Sequence, residues 1–383
     1  MHFVFPKTEI VSMYSNLLRE PKIVVAGPCA AESKEQLFAV AKTMSEIGIG
    51  DFTIDLNNHS VSEGNTSSSP AEKFWGFHFF RVGVWKARTN PADFQGAGDE
   101  ALTWLKEIKK QFGFKICVEV ASAEQVQLCI EHDIDAVWIG ARTTVNPFVV
   151  QEIADAVQDS LLSVFVKNPI NPDINLWLGA IKRFQNAGIK NIMAIHRGFS
   201  VENENVYRNA PCWEIPVTLH IKLPSIPILC DISHIAGSVE LQQMVAQTAM
   251  NYGFEGLMME VHHNPQEALS DSQQQLTPSQ AIHLLETLVF PTSKNEAENA
   301  LFFQRNLIKS IDIQLSKLLS KRMEMVDEIA AIKAKHEIPL LQPTQWKKVV
   351  EIYKENSLKD DHYQQFLDDF LLLLHKTSLK RQE

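Results

Sequence analysis

The residue types best suited to chemistry lie in the stretch GLMMEVHHNPQEALSD, residues 256–271. Its apolar start predicts a buried strand that ends on Glu260, and Asp271 follows in the next polar loop. Two similar apolar stretches upstream end close to Cys29 and His234. A thiol, an imidazole and two carboxylates at separate strand ends predict a divalent metal site. This donor mixture fits Mn, Fe, Co or Zn better than Mg.

Charged residues, most of them basic, form a second set at the same strand ends. Any one of them is as easily an ordinary solvated charge. Their recurrence at strand after strand favours a site for an anionic, phosphorylated substrate. The set comprises Arg81, Lys86, Arg88, Glu119, Arg142, Lys167 and Arg197.

The elements that position these residues follow a repeating pattern between residues 22 and 288. Apolar stretches alternate with helical periodicity, and the apolar stretches lack the period-two pattern of half-exposed strands, which indicates a covered parallel sheet. Eight such units in about 270 residues predict an α/β fold of the (β/α)8 barrel type. A doubly wound open sheet is the alternative, but no glycine-rich dinucleotide turn follows the first strand.

Two segments depart from this pattern. Residues 50–78 contain the polar tract NNHSVSEGNTSSS and predict an inserted, mobile surface loop. Residues 290–299 predict a polar linker, beyond which apolar residues keep helical spacing over 300–336 and two further helices follow at 344–356 and 360–380. Three helices, one of them very long, bury little surface alone, so a homodimer through this tail is expected.

Composition limits the class of protein. A chain of 383 residues predicts two domains, assigned as a barrel at 1–289 and an all-α domain at 300–383. The net charge of −10 argues against nucleic acid as a partner. The absence of a long apolar run or a signal-like N-terminus argues against membranes and secretion. An odd number of cysteines without paired spacing favours a reduced, cytoplasmic protein.

The barrel segment resembles a known family in seven motifs: GPCAAES, RVGVWKARTNPADFQG, IGART, VFVKNP, HRGF, DISH and MMEVHHNPQEALSD. They are similar to those of the 3-deoxy-D-arabino-heptulosonate 7-phosphate (DAHP) synthases of type Iβ, the first enzymes of the shikimate pathway. The resemblance implies condensation of phosphoenolpyruvate with erythrose 4-phosphate, in the service of aromatic amino acid biosynthesis.

The resemblance also implies a role for each matching residue. Cys29, His234, Glu260 and Asp271 would be the metal ligands. Phosphoenolpyruvate would be held by Arg81, Lys86, Arg142, Lys167 and Arg197, and the phosphate of erythrose 4-phosphate by Arg88 and Thr89. Glu119 would lie beside the reacting centre, and Lys86 would transfer a proton. Ala87 stands where the family usually has Pro.

In the tail, Arg322 and Lys333 are 11 residues apart, which puts them on one face of the helix, ~16 Å apart along its axis. Two long side chains at this spacing could bracket a small dicarboxylate. Arg305 lies ~25 Å from Arg322 along the same axis, so it could serve such a pocket only from a partner chain. The spacing alone favours an ordinary amphipathic helix with charged flanks over such a pocket.

A second resemblance bears on this choice. The segments RNLIKSIDIQLSKLLSKRMEMVDEIAAIKAKH and LLHKTSLKRQ are similar to the all-helical chorismate mutases. The resemblance implies that chorismate is bound by Arg305 of a partner chain together with Arg322, Lys333, Ser378 and Gln382. Arg322, Lys333 and Gln382 would act in its rearrangement to prephenate. Gln345 replaces a usual Arg, and this change predicts a weaker mutase.

The sequence therefore predicts a bifunctional enzyme, a transferase and an isomerase, in which chorismate or prephenate bound to the tail inhibits the barrel. Two alternatives stay open. The barrel could be another phospho-sugar aldolase, including a Schiff-base enzyme using Lys167 or Lys86. The tail could be a weakly active or non-catalytic module for ligand sensing and dimerisation.

Overall fold

The computed structural model describes residues 23–48, 52–55, 60–63, 76–86, 88, 90, 92–202, 206–289, 296–355, 357 and 360–382. The chain divides into two compact units, Met1–Phe303 and Gln304–Glu383. Each unit is described by itself. No described helix is both long enough and apolar enough to cross a membrane.

The first unit is built on a closed barrel of eight parallel strands, in the order β1-β10-β9-β8-β7-β6-β5-β4. This confirms the predicted (β/α)8 class. The strands are β1 (Ile23–Gly27), β4 (Phe79–Val82), β5 (Lys115–Val120), β6 (Ala136–Ile139), β7 (Ser163–Lys167), β8 (Ile192–His196), β9 (Ile228–Asp231) and β10 (Gly256–Glu260).

Helices connect the strands, and several begin at a side chain that caps the first turn. Ser33 accepts a hydrogen bond from the Gln36 backbone N–H and so caps the start of α1. The connecting helices are α1 (Lys34–Ile47), α2 (Glu100–Phe112), α3 (Ala123–Glu131), α4 (Ala141–Thr144), α5 (Pro147–Val157), α6 (Ile174–Asn186), α7 (Glu214–Lys222), α8 (Ile232–Ala236), α9 (Val239–Asn251) and α10 (Pro278–Glu286).

The barrel has an inner and an outer apolar layer because successive side chains of a strand point to opposite faces. Ile23 and Val25 of β1 belong to the inner cluster, which also contains Trp138 and Phe165. Val24 and Ala26 belong to the outer cluster between strands and helices. The inside of the barrel is therefore packed, and only the last residues of each strand are free to present polar groups at its carboxyl end.

Close approach of backbones at the closure of the barrel requires a glycine at the end of β1. Gly27 has φ +150°, and a Cβ there would overlap the backbone oxygen of Arg81. A larger residue would therefore push apart β1 and β4 directly below the residues that the site depends on.

The predicted loop at 50–78 is corrected in part. Its described residues include two strands, β2 (Phe52–Asp55) and β3 (Ser60–Glu63), paired as an antiparallel ribbon outside the barrel. The two strands, FTID and SVSE, are only four residues long each, which is too brief to show a period within a polar tract. The other residues of 50–78 up to residue 75 lie outside the described residues.

The described part of the second unit contains α12 (Pro343–Glu355), α13 (Asp361–Gln382) and the residues of α11 (Glu296–Lys335) from Gln304 onward. α11 begins at Glu296, inside the segment 290–299 that the sequence predicted as a linker. Val326 of α11 is buried, as are Leu367, Leu371 and Leu374 of α13, and these residues form a small core. Large apolar side chains elsewhere stay exposed, including Leu318, Ile332 and Leu372.

Candidate functional site

A pocket of about 440 Å³ opens at the carboxyl ends of the barrel strands, where barrel enzymes have their active sites. Sequence-predicted residues line it from seven segments of the chain. They are Arg81, Lys86, Arg88, Glu119, Arg142, Lys167, Arg197, His234 and Asp271. The predicted residue Thr89 and its neighbour Ala87 lie outside the described residues.

Three of the four predicted metal ligands form a compact group. One ligand atom each of Cys29, Glu260 and Asp271 lies within 4.8 Å of the others. The Cys29 thiol donates to Asp271 Oδ2 over 3.2 Å. His234 borders the group, with Nε2 3.9 Å from Glu260 Oε1. The structure thus places His234 near the other three without including it in the compact group.

The sequence predicted that His234 ends a strand. The structure instead places His234 in the short helix α8, which follows β9. Asp231 ends the strand and accepts from the His234 backbone N–H, which starts the helix. This turn carries the imidazole over the end of the barrel.

The buried carboxylate of Glu260 is compensated by cations. Arg81 Nη2 lies 3.1 Å from Oε1, and Gln274 Nε2 donates to Oε2 over 2.6 Å. Burial acts to raise the pKa of Glu260, but His234, Arg81 and Lys86 together lower it to about 2. Glu260 is therefore ionised at every physiological pH.

The thiol of Cys29 behaves in the opposite way. Burial, reinforced by Glu260, raises its pKa to about 12, although Lys86 opposes the shift. Lys86 Nζ lies 2.6 Å from Cys29 Sγ and donates to the Cys29 carbonyl over 2.8 Å. A buried thiol becomes a ligand when a divalent cation displaces its proton. With two carboxylates beside it, the donor set fits a cation of the Mn, Fe, Co or Zn type.

Asp231 is a functional residue that sequence reasoning missed. Its fully buried carboxylate lies 2.8 Å from His234 Nδ1, 2.9 Å from Lys167 Nζ and 3.9 Å from Arg81 Nη1. Burial acts to raise the pKa of Asp231, but His234, Lys167 and Arg81 hold it well below its usual range. Asp231 thus joins the metal-binding side of the pocket to the basic side. The acid three residues before His234 in DISH was the available signal.

The basic side of the pocket lies on an aromatic floor. Arg81 and Lys167 are 4.8 and 5.5 Å from the ring of Trp138. The Nε and Nη1 atoms of Arg81 are buried without a hydrogen-bond acceptor in the described chain. Buried donors of this kind need a partner, and an anion in the pocket would supply one.

The other predicted anion-binding residues lie above this floor. Asn168 Oδ1 accepts from the Arg197 backbone, and Asn209 Oδ1 accepts from Arg197 Nη1 over 2.8 Å. Burial lowers the pKa of Arg197 to about 10, so it remains a cation at neutral pH. Arg142 follows β6 on α4 and is exposed in the pocket.

Glu119 reaches the pocket across a glycine. A Cβ added at Gly140 would overlap Glu119 Oε1. The missing side chain therefore gives the carboxylate its place beside the basic groups.

Arg88 and Arg208 lie on either side of Asp271. Arg88 Nη1 is 3.6 Å from Oδ2, and Arg208 Nη1 is 3.0 Å from Oδ1. Sequence reasoning missed Gln274 because this residue lies in the uniformly polar run SQQQ after Asp271, and it missed Arg208 and Asn209 because the stretch around 199–213 has no periodic pattern. A basic residue followed by an amide there was the only signal.

The helical unit has a smaller polar cluster between α11 and α13. Arg322 Nη1 donates to Ser378 Oγ over 2.8 Å, and Lys333 Nζ donates to Gln382 Oε1 over 3.0 Å. Lys333 and Ser378 are buried. Four of the five residues predicted for chorismate are therefore brought together, and the fifth, Arg305, is exposed near the start of α11.

Comparison with known families gives two matches. Residues 57–294 match the DAHP synthetase I family, and residues 304–383 match chorismate mutase type II. Among curated proteins, the phospho-2-dehydro-3-deoxyheptonate aldolase of Thermotoga maritima is 26% identical over 253 residues, which cover 66% of this chain and 64% of that protein. This chain therefore spans less than two thirds of that relative. A 2-dehydro-3-deoxyphosphooctonate aldolase of Azoarcus sp. is 23% identical over 273 residues, covering 66% and 85%.

Solved structures give the same neighbours. The crystal structure of DAHP synthase from Thermotoga maritima superposes with a TM-score of 0.56 at 26% identity, covering 69% of this chain and 67% of that one. A truncated form of the 3-deoxy-D-arabino-heptulosonate 7-phosphate synthase from the same organism gives a TM-score of 0.54 at 24% identity, covering 69% and 84%. This second likeness bears on the fold alone.

The low pKa of Glu260 predicts a loss of stability in acid. A lowered pKa contributes stability above the unfolded value of 4.5, and this contribution is lost as the pH falls toward 2. Between pH 5 and pH 3, the unfolding free energy of the metal-free chain should fall by about 2 kcal/mol more than that of Glu260→Gln. Urea denaturation followed by tryptophan fluorescence measures both, and parallel pH profiles would contradict the assignment.

Replacement of Asp231 by Asn should destabilise the barrel by about 3–5 kcal/mol, because it leaves buried cations without a counter-charge. Asp133→Asn is the matched control, since Asp133 is 71% exposed beside Lys109 and exposed pairs contribute at most about 1 kcal/mol. The comparison is made by urea denaturation at neutral pH. Equal losses in the two variants would show that the Asp231 contacts are not stabilising.

Proposed function

The chain belongs to the DAHP synthetase I family through residues 57–294 and ends in a chorismate mutase type II domain at residues 304–383, and from this premise we propose two activities. The barrel condenses phosphoenolpyruvate with erythrose 4-phosphate to form DAHP and phosphate. The helical domain rearranges chorismate to prephenate. The observation that carries the first proposal is a pocket lined by arginines and lysines, whose lining residue Asp271 also belongs to the compact donor group with Cys29 and Glu260.

In this proposal Cys29, His234, Glu260 and Asp271 hold a divalent cation. The cation, when bound, supplies a Lewis acid that polarises the aldehyde oxygen of the second substrate. Asp231 supports the set, because its contact with His234 Nδ1 leaves Nε2 on the side of Glu260. Carboxylates commonly orient metal-binding histidines in this way.

Phosphoenolpyruvate lies at the deep end of the pocket. Arg81 and Lys167 are almost fully buried there, and the acceptor-free donors of Arg81 are suited to a carboxylate or phosphate oxygen. Arg142 and Arg197 complete the anion site from α4 and from the end of β8. Fixed cations hold the substrate in register with its enol carbon toward the aldehyde, and such positioning supplies much of the rate.

The residues that move protons are Lys86 and Glu119. Attack of the enol carbon on the aldehyde generates an alkoxide, which Lys86 protonates. Desolvation acts to lower the pKa of Lys86, but Cys29 and Glu260 raise it, so the group is a charged donor. Water oriented by Glu119 then adds to the cationic carbon, which still carries the phosphate, and the proton that this water releases passes to Glu119. The bond between that carbon and the phosphate oxygen breaks as the new hydroxyl gives its proton to the departing phosphate, which leaves the keto group of the product.

A second candidate follows from the products after which the relatives are named. A heptonate product contains seven carbons, which leaves a four-carbon aldose after the three carbons of phosphoenolpyruvate are subtracted. The phosphooctonate aldolases form an eight-carbon product, which requires a five-carbon aldose. Both reactions use the same donor groups, so the length of the aldose decides between them.

The helical domain binds chorismate in the cluster of Arg322, Lys333, Ser378 and Gln382. Arg322 pairs with a carboxylate, while Lys333 and Gln382 stabilise charge on the ether oxygen that breaks. Arg305 enters from the partner chain of a homodimer. Exposed apolar residues such as Leu318 and Ile332 of α11 supply surface for that dimer. The alternative is a non-catalytic module that binds ligand and dimerises.

Regulation and location complete the proposal. Chorismate or prephenate bound by the helical domain slows the barrel, and an unchanged condensation rate on addition of prephenate to the full chain would contradict this. None of the five cysteines, all of which the structure describes, forms a disulfide, in keeping with a reducing compartment such as the cytoplasm.

Treatment with EDTA should abolish condensation, and Mn²⁺ should restore it, because the Cys29 group supplies metal donors. Borohydride with substrate should leave the enzyme active, since no Schiff base forms. The assay measures phosphate release with four-carbon and five-carbon aldose phosphates side by side. We expect a higher rate with erythrose 4-phosphate. Full activity in EDTA together with inactivation by borohydride would establish a Schiff-base aldolase instead.

Lys333→Ala should lower the rate of chorismate loss by about 10²- to 10³-fold, the usual effect of removing one donor to a developing charge. Lys335→Ala is the control, because Lys335 lies two residues after Lys333 on the same helix, and this variant should retain activity. Absorbance of chorismate measures both. A wild-type chain that binds chorismate without converting it would identify the tail as a binding module.

A further inference from the structure

Arg208 is an arginine of the pocket to which the proposed reaction gives no role. It follows an irregular stretch after β8 and lines the pocket together with Arg88 and Ser200. Side-chain exposure increases from 1% at Arg81 and 5% at Lys167 to 15% at Arg88 and 46% at Arg208. This gradient places Arg208 at the mouth of the pocket, above the groups that hold the first substrate.

The segment that carries Arg208 is held in place by the barrel. Asn209 donates to the His234 carbonyl over 2.6 Å and accepts from Arg197. Ala210 pairs with Phe199 through two backbone hydrogen bonds. A Cβ at Gly237 would overlap Cβ of Arg208, and Gly237 has φ +73°. The base of the Arg208 side chain therefore has a defined seat against a glycine turn.

Arg208 and Arg88 face one carboxylate from opposite sides. Arg208 Nη1 lies 3.0 Å from Asp271 Oδ1, and Arg88 Nη1 lies 3.6 Å from Oδ2. Asp271 itself has φ +48°, a backbone conformation that aspartate tolerates better than most residues. Arg208 also donates to Gln274 Oε1 over 2.6 Å. Two guanidinium groups this close are suited to a single dianion between them.

The charge balance at the mouth depends on where Asp271 directs its charge. The same carboxylate also accepts from the Cys29 thiol and belongs to the metal donor group. A divalent cation on that side would draw the carboxylate charge toward itself. Arg88 and Arg208 would then face the pocket without full compensation, and an anionic group would replace what they lose.

We propose that Arg208 is a specificity-determining residue that binds the phosphate of the aldose together with Arg88. This assignment rests on the proposed condensation. The aldehyde end of the aldose must reach the enol carbon at the deep end of the pocket, so its phosphate lies toward the mouth. The guanidinium of one arginine faces only some of the oxygens of a phosphate dianion. The guanidinium of a second arginine would bind the other oxygens.

The competing interpretation is that Arg208 only holds Asp271 for the metal. The two roles differ in what they do to an aldose that has no phosphate. Loss of a phosphate contact affects erythrose 4-phosphate and spares erythrose, whereas loss of the metal site affects both. They differ also in the affinity of the metal-free chain for Mn²⁺.

The test compares Arg208→Gln and Arg208→Lys with the wild-type chain, all full length and loaded with Mn²⁺. Arg208→Gln should lower kcat/KM for erythrose 4-phosphate by about 10- to 100-fold, as expected when a charge-assisted hydrogen bond is lost. Turnover of erythrose and the KM for phosphoenolpyruvate should change by less than about threefold. Arg208→Lys should recover part of the loss, because the charge remains and the fork does not.

Arg183→Gln is the matched control, since Arg183 lies on the outer helix α6 and donates to Gln151. It should behave as wild type in every assay. Equal losses with erythrose and erythrose 4-phosphate, or weaker Mn²⁺ binding by Arg208→Gln in proportion to the lost rate, would overturn the proposal.

Calorimetric titration keeps the inference separate from the proposed condensation. Erythrose 4-phosphate is titrated into the Mn²⁺-loaded chain without phosphoenolpyruvate, so no turnover is needed. Binding that weakens at least about tenfold in Arg208→Gln supports the assignment even if the wild-type chain forms no DAHP. Equal binding by wild type and variant, or binding by neither, overturns it.

Discussion

The structure depends on the compensation of buried charge at the carboxyl ends of the barrel strands, where the floor of the pocket lies. Asp231 and Glu260 are fully buried carboxylates, and each is ionised because cations lie within a few ångströms of it. Removal of one member of such a network leaves its partners charged and shielded from water. The resulting loss of folding free energy is larger than the net stabilisation that the pair contributes. The same contacts that let the barrel close therefore set the positions of the metal donors and the anion-binding groups. Folding and preorganisation of the site are one problem here.

Periodicity predicted the barrel because its strands are buried on both faces and its helices on one. It also predicted the site residues that end strands, since the carboxyl ends of parallel strands meet at one rim. Residues that act through others gave no such signal. Asp231 looks like one more acid after an apolar stretch, and only the folded chain shows that it contacts both His234 and Lys167. Arg208 lies in an irregular segment, where spacing carries no information about direction.

The errors have physical reasons as well. The ribbon of β2 and β3 is formed by two four-residue strands, and four residues are too few to establish a period within a polar tract. In the tail, the spacing of Arg322 and Lys333 predicted a shared face. Their partners Ser378 and Gln382 belong to α13, which is separated from α11 in the chain by α12. Helical spacing within α11 therefore could not pair them.

The open space above Gly140 ties the position of a site carboxylate to a residue at the end of another strand. The space that a methyl group would fill is occupied by the Glu119 carboxylate, which comes from the neighbouring strand. Because the overlapping atom is the end of a flexible side chain, Gly140→Ala would move the Glu119 carboxylate rather than the backbone. The direction of this carboxylate can therefore be changed without a substitution at residue 119 itself.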